Sequence, residues 1–185
     1  MQTDLVIRAQ RGDREAFSVL AGAAVDRLHT LARLILRDAD LAEDATQEAL
    51  VRAWLDLPSL RDVDRFEPWL NRVTVRACSN TRRASKRWSN RLAIVPAEPA
   101  EADHSSGLAD RDELERALRR LTVAQRTVVV LTFYLGYPVA DVADALDIPV
   151  GTAKSRLHYA LDALRAALAA DARSEPGAAT KEQTA

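Results

Sequence analysis

The chain has 185 residues, a formal net charge of −1 at neutral pH and one cysteine. Such a length forms one or two domains, and abundant Ala, Leu and Arg with only six Gly predict an all-α protein. The charge balance excludes a uniformly basic nucleic-acid binder but permits a local basic surface. Because Cys78 has no second cysteine to pair with, we expect a buried thiol in a reducing compartment.

The sequence also argues against membrane insertion. Its first residues show no signal-peptide pattern, and the longest apolar run, 128–135, is far shorter than the roughly 18 residues that span a bilayer. We therefore expect a cytoplasmic protein without a membrane segment.

Three helical segments come first: 4–10, 14–36 and 40–57. The third has an Ala-rich side and an opposite side that we call the acidic face. The acidic face consists of Asp40, Glu43, Asp44, Gln47, Glu48 and Val51. Only Arg52 offers a cation nearby, so the helix lacks most i,i+4 ion pairs. The face is either a solvated helix surface or a docking surface for a basic protein.

A loop at Pro58–Asp64 leads into a helix predicted from Arg65 to about Arg87, with Asp64 as its cap. Residues 71–91 carry seven Lys or Arg and no acid. One side of this helix, the basic stripe, contains Arg65, Trp69, Arg72, Arg76, Asn80, Arg83 and Arg87. Its apolar stripe contains Phe66, Leu70, Val73, Ala77 and Ala84. Arginines hold phosphates and an indole stacks on an unpaired base, so the basic stripe suits nucleic acid, although a solvated basic helix remains the alternative.

The segment 92–109 contains two prolines, several acids and Ser-Ser-Gly, which predicts a flexible linker. We therefore predict a helical domain at 1–91, the linker at 92–109, a second helical domain at 110–170 and a disordered tail at 171–185. The second domain begins with a helix at 110–121. Thr122 and Gln125 form a capping-box signature for the next helix, 123–135.

The stretch Pro138–Leu168 is a helix-turn-helix candidate, because two helical patterns are interrupted only by Asp147-Ile148-Pro149. The second helix presents polar side chains opposite its apolar side, and these suit the major groove of DNA. We call them the recognition face: Thr152, Lys154, Ser155, Arg156, His158 and Tyr159. An αα-hairpin with a solvated polar side is the alternative.

Motifs that would indicate catalysis are missing from the sequence. We find no phosphate-binding glycine loop, no Cys/His set at metal-ligand spacing and no nucleophile motif. The sequence therefore predicts a protein that is not an enzyme and that uses no cofactor or metal.

Three motifs, in order, resemble the extracytoplasmic-function sigma factors of the sigma-70 family. DLAEDATQEALVRAW is similar to the helix that docks on RNA polymerase, RFEPWLNRVTVRACSNTRRASKR to the segment that melts and reads the minus-10 promoter element, and PVGTAKSRL to the minus-35 reader. The resemblance implies a sigma region 2 helical bundle and a sigma region 4 helix-turn-helix domain joined by a flexible linker. It also implies three partners: core RNA polymerase, promoter DNA and an anti-sigma factor.

The resemblance assigns roles to individual residues. The acidic face would bind core polymerase, with Asp44, Gln47 and Glu48 at the most characteristic positions. The basic stripe would hold single-stranded minus-10 DNA. Arg61 and Asp62 in the preceding loop would help to capture a flipped base, because an extruded base must be stacked and hydrogen-bonded. The recognition face would contact duplex minus-35 DNA.

Two other functions remain open at this point. A stand-alone helix-turn-helix regulator would bind duplex operators without polymerase. A helical adaptor without a nucleic-acid role would show no dependence of DNA affinity on Arg72, Arg76 or Lys154.

Overall fold

The computed structural model describes residues 1–91 and 116–174, and every regular element in these two ranges is helical. The prediction of an all-α protein is therefore confirmed. The helices are α1 (Gln2–Gln10), α2 (Arg14–Leu36), α3 (Ala39–Asp56), α4 (Phe66–Arg91), α5 (Val123–Val129), α6 (Val139–Leu146) and α7 (Val150–Ser174). Residues 116–119 are also helical, and a π-helical turn at Val130–Tyr134 follows α5.

Local capping sets where the helices begin. Asp13 caps α2 by accepting hydrogen bonds from the backbone N–H groups of Glu15 and Ala16, both at 3.0 Å. Asp38 caps α3 in the same way. Thr122 and Gln125 form the predicted reciprocal capping box at the start of α5. These side chains satisfy backbone donors that have no partner inside the helix.

The N-terminal half, residues 1–91, is a bundle in which α3 packs along α4 and α2. A first buried cluster joins α1 and α2 to the end of α3 and the start of α4. Its fully buried members include Val6, Leu28, Leu57 and Leu70. The apolar side of α3 is made of alanines, so α3 lies close to its neighbours and the acidic face points away from the core.

The C-terminal half, residues 116–174, packs α5 and α6 against α7. Its own buried cluster consists of Leu118, Leu121, Val129 and Ala160.

A third buried cluster is shared by the two halves. Leu31 and Ile35 of α2 and Val75 of α4 belong to it, and so do Val128 and Leu131 of the C-terminal half. The sequence predicted two modules on a tether, and the structure shows them in contact. The predicted linker, 92–109, lies outside the described residues.

Three local predictions differ from the structure. Ala84 was placed in the apolar stripe of α4 but is exposed, because α4 extends beyond the bundle at this point. Asp64 was predicted as the cap, but the side chain of Asp62 accepts the backbone N–H of Asp64 at 3.1 Å and caps a short turn, Val63–Arg65, that precedes α4. The last helix was expected to end at Ala170 and continues to Ser174.

Candidate nucleic-acid interface

The acidic face lies on the solvent side of α3. Asp40, Glu43, Asp44 and Gln47 are exposed and Glu48 is half-buried. None of the four carboxylates forms an ion pair within residues 1–91 and 116–174. The amide of Asn80, in the basic stripe, donates to Oε1 of Glu48 at 3.4 Å. The acidic face therefore carries unpaired negative charge beside the start of a positive surface.

An apolar extension of the acidic face was missed from the sequence. Val51 is 59% exposed and Leu55, one turn later on the same side, is 60% exposed. Side chains four positions apart are neighbours on a helix, so Leu55 continues the row that ends at Val51. Extending the i,i+4 spacing of the acidic face by one turn beyond Val51 would have identified Leu55 from the sequence.

A side chain of α1 holds the loop before α4 against the bundle. The side-chain amide of Gln10 donates to the backbone oxygens of Leu57 (3.2 Å) and Leu60 (2.6 Å). Arg61 and Asp62 remain exposed. The Asp62 carboxylate is already an acceptor for the backbone of its own turn, which fixes its direction.

The basic stripe is uneven in exposure. Arg65, Arg76, Asn80 and Arg83 are exposed, whereas Trp69 and Arg72 are half-buried. The Trp69 ring lies 6.0 Å from the Phe66 ring and packs against the first cluster, so only part of the indole is free to stack on a base. Arg72 lines a cleft with residues of α6 and the turn after it, among them Asp144 and Asp147.

The recognition face is open. Lys154, Ser155, His158 and Tyr159 are exposed, Tyr159 by 64%, while Thr152 and Arg156 are half-buried. Asp147 adopts a left-handed conformation, φ 54°, that ends α6 and allows α7 to begin three residues later. Ala153 and Ala160 are fully buried on the opposite side of α7 and fix its rotation.

Side chains within the recognition face are partly organised before any ligand binds. The His158 and Tyr159 ring centroids are 5.7 Å apart, and Nε2 of His158 lies 3.3 Å from a carboxylate oxygen of Asp162. The Ser155 hydroxyl donates to the backbone oxygen of Gly151 at 2.6 Å. Ser155 must therefore rotate, or accept rather than donate, to contact a base.

Cys78 lies in the buried cluster that the two halves share. Cys78 is fully buried, as predicted, and burial raises the pKa of its thiol to about 12. Over the described ranges we find no group of three potential metal ligands. No helix there is both long and apolar enough to cross a bilayer.

Two family models match the chain. Sigma-70 region 2 matches residues 20–88, and Sigma-70, region 4 matches residues 111–164. The chain is 37% identical over 150 residues to the ECF RNA polymerase sigma factor SigM of Mycobacterium tuberculosis, covering 78% of this chain and 73% of that protein. It is 33% identical over 182 residues to the RNA polymerase sigma-H factor of Pseudomonas aeruginosa, covering 89% and 92%.

Two solved structures with a similar fold are of proteins bound to a partner. The sigma factor RpoE of Bartonella quintana, bound to the anti-sigma factor NepR, has a TM-score of 0.69 and 25% identity, covering 84% of this chain and 98% of that chain. CnrH, bound to the cytosolic domain of CnrY, has a TM-score of 0.61 and 26% identity, covering 92% and 98%.

Proposed function

Because this chain belongs to the extracytoplasmic-function group of the sigma-70 family, we propose that its two halves divide the work of a promoter-specificity subunit. The acidic face binds core RNA polymerase. The basic stripe, with Arg61 and Asp62, holds the melted minus-10 strand, and the recognition face reads the minus-35 duplex. The sigma-70 family is not a family of catalytic enzymes, and we assign this chain no covalent reaction. Its site of action is the cytoplasm, where polymerase and DNA meet.

The observation that carries the proposal is the acidic face. Its carboxylates are displayed on one side of α3 without ion pairs among the described residues, and exposed Val51 and Leu55 continue the row. An interface of this kind combines charge complementarity with a small apolar contact. The partner that fits is a basic protein surface, and the family identifies it as core polymerase.

The positive surfaces fit DNA by the same reasoning. Arg76 and Arg83 are exposed on α4, and Lys154 is exposed on α7. Each neutralises a phosphate and releases counterions, which supplies affinity independent of sequence. The short polar side chains of α7 then contact base edges in the major groove, which supplies specificity.

An anti-sigma factor completes the proposed set of partners. The structural relatives RpoE and CnrH were solved with NepR and with the cytosolic domain of CnrY. By that likeness, we infer a protein that binds this chain and competes with polymerase or DNA.

The test is charge reversal on the acidic face. Asp44→Arg and Glu48→Arg are expected to abolish binding to core polymerase in a pull-down, because each places a cation against a basic surface. The matched control is Asp26→Arg, which reverses an exposed carboxylate on α2, outside the acidic face. Circular dichroism should show the same helix content in all three variants, since all three side chains are at the surface.

Two results would contradict the proposal. The first is unchanged polymerase binding by both acidic-face variants. The second is tight, sequence-specific binding of duplex DNA by the purified protein alone, which would instead indicate a stand-alone regulator.

A further inference from the structure

The end of α4 carries an exposed tryptophan. Trp88 is 64% exposed, and no residue between Ser79 and Trp88 is buried. Side chains on every side of the helix are accessible over this stretch, which shows that α4 extends beyond the bundle here. The indole of Trp88 is therefore held in solvent by a projecting helix.

Trp88 continues the apolar stripe of α4 after that stripe leaves the core. It lies one helical turn beyond Ala84 and about three turns beyond Ala77, so all three residues share one side of the helix. Ala77 is buried, whereas Ala84 and Trp88 are exposed. The apolar stripe is thus covered by the bundle at one end and uncovered at the other.

The other two tryptophans are packed against aromatic rings. The ring centroids of Trp54 and Phe17 are 5.1 Å apart, and those of Trp69 and Phe66 are 6.0 Å apart. Both of these indoles are half-buried. Within residues 1–91 and 116–174, Trp88 has no such ring partner. The sequence suggested base stacking on Trp69, but the larger free indole surface belongs to Trp88.

The surroundings of Trp88 are positive. A single exposed aromatic side chain is ordinary at a protein surface, but the side chains that precede this one are not. None of these cations forms an ion pair with another residue that the structure describes. Such a cluster attracts phosphates and repels basic protein surfaces. The exposed cations in the two turns before Trp88 are Arg82, Arg83, Lys86 and Arg87.

Single-stranded DNA has the chemistry that fits this end of α4. Its phosphates are anions, and its unpaired bases present flat aromatic faces on which an indole can stack. The bases of an intact duplex are stacked on each other and offer no such face inside the helix. Trp88 beside unpaired cations therefore favours a melted strand over a duplex.

Trp88 also stands far from the loop that carries Arg61 and Asp62. That loop precedes α4, whereas Trp88 lies about 28 Å beyond Trp69 along the axis of α4, at about 1.5 Å per residue. A stacked strand covers this distance with roughly eight nucleotides, at about 3.4 Å each. The two aromatic positions are thus spaced for the two ends of a melted segment.

We propose that Trp88 stacks on an unpaired base at the end of the melted promoter strand that lies away from the Arg61–Asp62 loop. Arg83 and Arg87 hold the adjoining phosphates. This inference rests on the proposed function and adds a stacking residue to it. The melted strand is then fixed at both ends of α4, by the loop at one end and by an indole at the other.

The test separates contacts to bases from contacts to phosphates. The full-length protein is titrated at low salt against a labelled mixed-sequence single-stranded oligodeoxynucleotide and against an abasic strand of the same length. We expect Trp88→Ala to weaken binding of the base-bearing strand by about fivefold or more and to leave binding of the abasic strand unchanged, because only bases stack. Trp88→Phe keeps an aromatic face and should restore most of the affinity.

Two further variants are the controls. Arg83→Ala should weaken binding of both strands and reduce the slope of log affinity against log salt by roughly 0.7, whereas Trp88→Ala should leave the slope unchanged. Phe133→Ala removes a side chain of similar exposure, 63%, from the C-terminal half and should bind both strands as the parent chain does. Circular dichroism should show the same helix content in every variant, since all the changed side chains are at the surface.

Several results would overturn the inference. They are equal affinity of Trp88→Ala and the parent chain for the base-bearing strand, an equal loss on both strands, and no binding of that strand by the parent chain. Weaker capture of core polymerase by Trp88→Ala, at unchanged DNA affinity, would assign the indole to polymerase instead. A parent dimer that Trp88→Ala dissociates in sedimentation would assign it to a second copy of the chain.

The proposed function fails by a different measurement. Failure of the parent chain to capture core polymerase in a pull-down would overturn the proposed function. The titrations of Trp88→Ala contain no polymerase, so they test the stacking contact separately.

Discussion

The two halves of the molecule differ in how much core each makes by itself. The N-terminal half has its own cluster, which runs from Val6 to Leu70, whereas the C-terminal half has only a small one around Leu118 and Ala160. Five further buried residues of the C-terminal half lie in the shared cluster: Val128, Val130, Leu131, Val142 and Ala145. The C-terminal half therefore depends on the N-terminal half for part of its stability.

A similar contrast holds for the two surfaces that we propose bind DNA. The recognition face is open on α7, while the basic stripe on α4 has Arg72 beside the C-terminal half and Trp69 partly in the core. The recognition face is thus more accessible in this structure than Trp69 and Arg72 of the basic stripe.

The largest expected effect comes from breaking the shared core. Leu131 is fully buried in the shared cluster, so Leu131→Ala should lower the free energy of unfolding by about 3 kcal/mol. All three tryptophans, Trp54, Trp69 and Trp88, lie in the N-terminal half, so tryptophan fluorescence during urea denaturation reports on that half alone. Because the core is shared, a mutation in the other half should shift the fluorescence midpoint.

The control is Phe133→Ala, two residues away and 63% exposed, which should change stability by less than about 0.5 kcal/mol. A fluorescence midpoint that does not move in Leu131→Ala would show that the N-terminal half unfolds independently of the C-terminal half.

Smaller effects on DNA affinity are expected from substitutions in the recognition face and in the basic stripe. Lys154→Ala should weaken duplex minus-35 binding by the polymerase-bound protein at every sequence and reduce the slope of log affinity against log salt by about one, since one phosphate contact is lost. Arg76→Ala should do the same for single-stranded DNA with a slope change of roughly 0.7. Affinities measured by anisotropy at several salt concentrations give both slopes. Equal losses on both DNA forms for either variant would contradict the assignment of the two surfaces.

The smallest expected effect is on the acid stability of the protein and comes from Asp13, the cap of α2. The backbone hydrogen bond from Ala16, and then the side-chain hydrogen bond from Arg8, lower the pKa of Asp13. A carboxylate with a lowered pKa in the folded state stabilises the protein above its unfolded pKa, and this contribution is lost as the pH falls through the folded value. Asp13→Asn keeps the cap but cannot titrate. Thermal melts below pH 4 should therefore show a weaker fall of the melting temperature with acid than in the parent chain, and identical acid profiles would contradict this role.

Local signals in the sequence predicted much of the fold. The Thr122–Gln125 capping box acts on backbone groups within three residues, so adjacent positions were enough to predict it. The exposed side of α3 and that of α7 follow from helical periodicity in the same way. These features needed no knowledge of distant contacts.

The contacts between the two halves could not be predicted in this way. Asn71 and Tyr137 are 66 residues apart, and Arg126 and Ile35 are 91 residues apart. Each pair depends on how two helical units pack, which no local pattern specifies. The burial of Arg126 follows from the helix ends that surround it, whose backbone oxygens accept its hydrogen bonds.

The π-helical turn at Val130–Tyr134 was not predicted from the sequence either, and it affects the helical register of the residues that follow it. Leu135 donates to the backbone oxygen of Val130, five residues back, at 3.2 Å. Such a turn contains one residue more than an α-helix needs. Deleting one residue between 130 and 134 would rewind the segment by about 100°. Helices α6 and α7, which follow Gly136, would then leave α5 in a rotated orientation.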